Sequence, residues 1–217
     1  MSGTSHWHRD ATVDEYLDRV GTLPPRLAGE SALREVLPDE PRRIADLGCG
    51  DGRLTALVLD ACRSIQEVVA VDDSPPMLAK ARERFAGDRR VRVQKRNLND
   101  DVGPLGRFDV MVSGFAIHHL DDARKQTLTG EIARALNPGG VFANLEVVQS
   151  ATPALHATFR QMIGRTADDP EDRLVDVETQ LGWMRDAGLV DVDCLWRWRG
   201  FALLVGVAPG PTAAPTA

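Results

Sequence analysis

Ile44-Ala-Asp-Leu-Gly-Cys-Gly-Asp-Gly52 opens as an apolar run, reaches an acid at Asp46 and turns through glycines at 48, 50 and 52. Behind it Leu54, Leu57, Val58 and Ala61 recur at helical spacing. Strand, glycine loop and helix in that order put backbone amides and a helix N-terminus at the carboxyl edge of a sheet, where open α/β sheets take ligands. Glycine at such a loop lets a ligand approach the backbone closely. The third glycine comes one residue earlier than in the dinucleotide fingerprint G-x-G-x-x-G, and Arg53 holds the position where that fingerprint needs glycine. Asp72, about twenty residues on, suits the ribose diol of either a dinucleotide or another nucleoside cofactor.

Outward from this loop the chain keeps alternating strands and helices, the mark of βαβ units and a mostly parallel sheet. Val68-Val-Ala-Val71 reads as a buried strand ending at Asp72. Ser74-Pro75 is a helix start, with Met77, Leu78, Ala81 and Phe85 as the buried face. Further strands are expected through Val91 and Val93 to Asn97 and over Phe108 to Val112. A helix from about Asp121 to Leu136 should stop at Asn137-Pro-Gly-Gly140, ahead of a strand from Val141 to Val148. Beyond it a helix starting at Pro153, an acidic turn Asp168-Asp-Pro-Glu171 and a helix over about 177–187 precede two strands, Val190 to Trp198 and Phe201 to Val207. Only Arg199-Gly200 separates those strands, which predicts a hairpin. Trp196 and Trp198 share a strand face and are expected to pack against a flanking helix.

This divides the chain into a helical cap over 1–40, carried by Val13, Tyr16, Leu17 and Val20, and a main domain over 41–208. The domain includes a helical insertion at 149–185 on the substrate side. A tail at 209–217 of Pro, Ala, Thr and Gly is expected to be disordered.

With 217 residues the chain suits one well-buried core. A formal charge of −6, with no basic stripe, points away from nucleic acid. No apolar run nears the ~20 residues of a bilayer span, and the first residues lack the apolar core of a secretion signal, so a cytoplasmic protein without a membrane partner is expected. Cys49, Cys62 and Cys194 fit no metal-ligand spacing and are expected as reduced thiols; no metal site is expected.

Four motifs in order, Asp-Leu-Gly-Cys-Gly-Asp-Gly, Val-Asp72-Asp-Ser74-Pro-Pro-Met-Leu, Phe-Asp109-Val-Met-Val with Ala-Ile-His-His-Leu120, and Ala-Leu-Asn-Pro-Gly-Gly140, resemble the class I S-adenosylmethionine-dependent methyltransferases of the small-molecule branch. The resemblance covers about residues 41–208. It implies a Rossmann-like α/β fold with a seven-stranded, mostly parallel sheet whose last strand is antiparallel, and helices on both faces. It implies S-adenosyl-L-methionine as cofactor, a small-molecule methyl acceptor, and a monomer or homodimer. By the same resemblance Gly48 and Gly50 face the methionine and ribose parts, Asp46 lies beneath the methionine amino group, Asp72 with Asp73 serves the ribose, and Met77 packs on adenine. Asn97-Leu98 stands where the family usually has Asp-Leu, and the asparagine carbonyl is expected to accept the adenine amino hydrogen bond instead. Ser113 and Gly114, with Phe115, are expected near the sulfonium. Tyr16 and Arg26 are cap residues placed to close over the cofactor.

An acceptor hydroxyl or thiol must lose a proton, and His119 and His118, just past the fourth strand, are the expected bases because imidazole titrates near neutrality. The alternative is that these histidines only brace the following helix. Glu146, His156, Arg160 and Trp183 are expected substrate contacts, with packing as the alternative for the residues on helices. At the level of function, the alternatives are a cofactor-binding regulatory or scaffold protein without catalysis and, on the glycine loop alone, an NAD-dependent oxidoreductase.

Overall fold

The structure is a computed structural model; it describes residues 21–210 together with Val13 and Leu17. The strands are β1 (Arg43–Leu47), β2 (Glu67–Asp72), β3 (Val91–Lys95), β4 (Phe108–Gly114), β5 (Leu136–Val147), β6 (Val190–Trp198) and β7 (Phe201–Val207). The helices are α1 (Pro24–Glu35), α2 (Arg53–Ala61), α3 (Pro75–Arg84), α4 (Asp122–Ala135), α5 (Pro153–Met162) and α6 (Val177–Asp186). All seven strands form one sheet in the order β3-β2-β1-β4-β5-β7-β6. Neighbours from β3 through β5 pair parallel, and β7 runs antiparallel to both β5 and β6. β7 is therefore the one reversed strand, as the sequence predicted.

The central strands are apolar on consecutive residues because both faces are covered. On one face Ala45, Leu47, Val71, Met111 and Phe142 meet Leu128 and Ile132 of α4 and Leu181 and Met184 of α6. On the other, Ile44, Val68, Val110, Val112 and Leu145 meet Leu33 of α1 and Leu54, Leu57 and Val58 of α2. The chain moves outward from β1 to β3 and then crosses back to β4, so the order reverses between β1 and β4. A crevice opens at that point beyond the carboxyl ends of the strands.

Local signals read in the sequence act as expected at α3, where Ser74 Oγ accepts from Met77 N–H at 3.4 Å and proline fills the first turn. The β6–β7 hairpin turns at Arg199-Gly200, with Trp198 paired to Phe201. A Cβ on Gly200 would lie 2.7 Å from the Phe159 ring of α5, so the turn needs glycine to seat that helix. Trp196 packs near α1, and Trp198 sits in a cluster with Phe159 and Phe201.

One feature differs from expectation. The stretch 136–140 is the start of β5: Leu136 pairs with Phe108, and the register slips before Val110 pairs with Val141. Asp109 holds that slip, accepting from Arg42 and Arg43 N–H at 2.8 and 2.9 Å and from Asn137 Nδ2 at 2.8 Å. Within the stretch 1–40 read as a helical cap, α1 packs Leu33 against the sheet. Tyr16 and 211–217 lie outside the described residues.

Candidate functional site

The glycine loop leaves β1 sharply, with Gly48 and Cys49 N–H both donating to Val71 C=O at 2.8 and 2.9 Å. Gly48 holds φ +73°, and a Cβ there would stand 2.2 Å from that of Ala116, so this position is closed to any side chain. Asp72, at the end of β2, accepts from Gly50 N–H at 2.9 Å and from Ser74 N–H at 2.8 Å, bracing the loop and the start of α3 together. Burial raises its pKa against those two donors.

These residues border a cavity of about 280 Å³. Of the expected cofactor residues, Gly48, Gly50, Asp72 and Asp73 line it from the β1 and β2 edges, Met77 from α3, and Asn97, Leu98 and Gly114 from beyond β3 and β4. Asn97 serves a different bond from the one expected. Its Nδ2 donates to Asp73 at 3.1 Å, while its carbonyl oxygen already accepts two N–H groups of Asn99 at 2.9 Å. Ser113 is not brought to the cavity, because its hydroxyl is buried and donates to Leu47 C=O at 2.8 Å, tying β4 to β1.

Asp46 sits fully buried behind the loop. One oxygen accepts from Thr55 Oγ1 at 2.6 Å, while the other has no hydrogen-bond partner among the described residues. Burial, reinforced by the nearby Asp72 charge, pushes its pKa up to about 7. A buried carboxylate oxygen left open calls for a cationic donor. That orphan, the Asp72 carboxylate and the side-chain-free approach at Gly48 fit a ligand with an ammonium group and a ribose, which is what S-adenosylmethionine would present.

Arg53, where the dinucleotide fingerprint wants glycine, donates to Glu30 from Nε at 2.6 Å and Nη2 at 2.8 Å and reaches Gly21 C=O at 3.1 Å. Arg26 joins the same carboxylate at 3.0 Å and lies 5.0 Å over the Phe115 ring. Burial works against the Glu30 charge, but the two guanidiniums outweigh it and hold the pKa low. Arg53 therefore ties the glycine loop to α1 through Glu30, while Arg26, paired with the same carboxylate within α1, reaches Phe115 and does not line the cavity. Phe115 lines it with φ +55°, a strained backbone for a non-glycine residue, held by its N–H to Leu145 C=O at 2.8 Å and by Phe201 at 5.0 Å.

Past Phe115 the chain makes a 3₁₀ turn over Ile117–His119. His119 lines the cavity; His118 points away and is buried. His118 Nδ1 lies 2.5 Å from Glu146 Oε1, and its Nε2 lies 3.3 Å from Asp172 Oδ1. The same Asp172 oxygen is 3.6 Å from His119 Nδ1, and the two rings are 4.0 Å apart. Burial opposes charge on His118, yet Glu146 and Asp172 overcome it and lift the pKa to about 9. Burial and the adjacent His118 charge push His119 the other way, so it stays neutral.

The folded pKa of His118 is raised, so its contribution is complete below the unfolded value near 6.5 and is lost as pH climbs through about 9. His119, neutral in the folded protein and half-protonated in the unfolded chain at pH 6.5, offsets less than about 1 kcal/mol of that loss, and Asp46, whose folded pKa is about 7, adds a loss of similar size below pH 8. Urea unfolding with chelator present should show stability falling by on the order of 2–3 kcal/mol from pH 6.5 to 9. His118→Gln should flatten that slope, and equal slopes in both proteins would refute the assignment.

The expected substrate residues are not gathered at the cavity. Glu146 is spent inside, accepting from the N–H groups of His118 at 3.0 Å and Val147 at 2.7 Å. His156 and Arg160, on α5, both bind Asp168, at 2.8 and 2.9 Å. Trp183 is on α6, which packs on the sheet face shared with α4, apart from α5. Glu171 is the last residue of the acidic turn 168–171, and Asp172, just beyond it, carries no signal in the sequence. Arg173 N–H donates to His118 C=O at 2.9 Å and Lys125 Nζ bonds Arg173 C=O, drawing this turn in until Glu171 lines the cavity.

Residues 44–140 match the model of a family described as a methyltransferase domain. An uncharacterized methyltransferase of Mycobacterium tuberculosis is 34% identical over 126 residues, covering 58% of this chain and 59% of that protein. A trans-aconitate 2-methyltransferase of Rhodopseudomonas palustris is 37% identical over 139 residues, covering 62% of this chain and 49% of that protein. The chain thus spans less than two thirds of the length of these curated relatives. Among solved structures, an O-methyltransferase family protein from Burkholderia thailandensis superposes with a TM-score of 0.73 at 23% identity, over 94% of this chain and 61% of that one.

Proposed function

We propose that this chain is a class I S-adenosylmethionine-dependent methyltransferase that transfers the cofactor's methyl group to a small-molecule acceptor, a reading supported by the methyltransferase-domain match over residues 44–140. The bound cofactor supplies an activated methyl on a positive sulfur. Asp72 would take the ribose hydroxyls from the cavity wall, and Asp46, buried behind the glycine loop and outside the lining, would support the amino end from beneath. Gly48 and Phe115 set the walls past which the acceptor must approach in line. His119, neutral and at the cavity wall, is the group placed to take a proton from the acceptor. The segment 149–185 contributes Glu171 to the acceptor side.

One observation carries this reading: a single cavity joins the ribose-type carboxylate Asp72 to the imidazole of His119. A small acceptor is favoured by the size of that cavity and by the acidic balance of the chain, which suits no polyanion. At the end of β4 the chain reads Ser113-Gly-Phe-Ala, and lacks the Asn/Asp-Pro-Pro-aromatic tetrapeptide expected of a nucleic-acid amino-methyltransferase. No helix of the described residues is long and apolar enough to cross a membrane.

Calorimetric titration should show S-adenosylmethionine binding and no NADH binding; the reverse result would overturn the proposal. Labelled cofactor offered with a panel of small acids, phenols, amines and thiols, with products identified by mass spectrometry, then finds the acceptor. Cofactor binding without transfer to any class of acceptor would favour a regulatory role. Asp72→Ala should raise the cofactor Kd by about ten- to a hundredfold, the worth of one or two hydrogen bonds to a charged group. An unchanged Kd would remove Asp72 from the ribose.

A further inference from the structure

We propose that His118, His119 and Asp172 bind a divalent first-row transition-metal ion beside the cofactor cavity. The three side chains come from two segments far apart in sequence, and each offers a ligand atom; all three atoms lie within 4.8 Å of one another. Ligands held at 2.0–2.1 Å around a tetrahedral zinc stand about 3.3 Å apart. Asp172 Oδ1 is 3.3 Å from His118 Nε2 and 3.6 Å from His119 Nδ1, so an ion could be seated with small side-chain movements.

A second observation points the same way. Glu146 sits 2.5 Å from His118 Nδ1, the nitrogen remote from the cluster. A carboxylate behind a histidine fixes its tautomer and aims the other nitrogen, the usual arrangement behind a metal-bound imidazole. Glu146 is itself held by two backbone N–H groups, and Arg165 Nη1 lies 3.4 Å from the other oxygen of Asp172, leaving Oδ1 to the cluster. Two imidazoles and one carboxylate suit zinc, iron(II) or cobalt(II); calcium and magnesium want all-oxygen sites. Three protein ligands leave a coordination position open, and His119 and Glu171 both line the cavity from which an acceptor oxygen would reach it. A metal on Nδ1 would occupy the lone pair that takes the acceptor's proton, so the base role of His119 belongs to the metal-free protein.

The proposal does not rest on methyl transfer and can be read without activity. The chelator-treated chain of residues 1–217 is titrated with cobalt(II) and followed by its visible d–d absorption. Saturation at one equivalent, bleached by one equivalent of zinc, is expected. Asp172→Asn and His119→Gln should each weaken cobalt binding at least tenfold, and His156→Ala, removing an imidazole outside the cluster, should leave it unchanged. Glu146→Gln should weaken it about ten- to a hundredfold through His118 alone, so a folding defect in one ligand variant does not decide the outcome. Thermal melts confirm that each variant is folded. No saturable absorption in the wild type, or the same titration in Asp172→Asn and His119→Gln as in wild type, would overturn the site. Cofactor calorimetry without metal reads the methyltransferase proposal separately, so either can fail alone.

Discussion

Gly48→Ala should destabilise the protein by about 2–5 kcal/mol and abolish measurable cofactor binding, although it adds a single methyl group. Two costs combine. The backbone at φ +73° is one that an L-residue adopts at about 1–2 kcal/mol. The added Cβ also meets that of Ala116 at 2.2 Å, and overpacking of this kind costs about 1–3 kcal/mol. At roughly 2–4 °C per kcal/mol for a chain of this size, the melting temperature should fall by on the order of 10 °C. Relief of the clash would displace the turn that carries His119 or the loop that faces the cofactor, which is why binding should be lost along with stability. Gly48→Ala with Ala116→Gly removes the steric part and keeps the backbone part, so the double variant should recover about half of the lost stability. Melting curves that place Gly48→Ala at wild-type stability would show that the loop is not closed by Ala116.

His119→Ala should show the complementary pattern, with turnover reduced by about 10²- to 10⁴-fold and the cofactor Kd within a factor of about two of wild type. His119 lines the same cavity as Asp72 but arises from the β4 side, where the acceptor must come. Because burial and the His118 charge keep His119 neutral, the acid limb of the pH–rate profile should lie below the ordinary histidine range, and activity should persist at pH 6. Single-turnover rates with labelled cofactor, together with calorimetry, separate the two quantities. Turnover equal to wild type would remove the proton-acceptor role. An acid limb at the ordinary histidine value would show that the charge of His118 does not reach its neighbour. Asp72→Ala and His119→Ala should therefore divide binding from chemistry between the two walls of one cavity.

The ends of β1 and β2 were legible because their constraints are local. Ile44 to Asp46 and Val68 to Val71 are apolar on consecutive residues because each strand is covered on both faces, and Gly48 is required by its own φ and by contact with one neighbouring turn. Ser74-Pro75 and Arg199-Gly200 are equally local, and both act where the sequence placed them. Asn97 shows the limit of such reading. Its position at the cavity follows from the strand pattern, but its carbonyl is taken by Asn99, a bond that spacing alone does not specify. Glu146 shows it more strongly: an acid at a strand end reads as a substrate contact until His118 is seen folded against it.

By itself, the sequence determined the order of strands and helices from β1 onward, the cofactor-type loop and the carboxylate opposite it, because periodicity, glycine and a helix cap act over a few residues. The tertiary structure alone decided that Asp172 and Glu146 enclose His118, that Arg53 and Arg26 share Glu30, and that Ser113 and Asp109 bind backbone. Each of those pairings is set by which surfaces pack together, and nothing in the spacing between such residues encodes that choice.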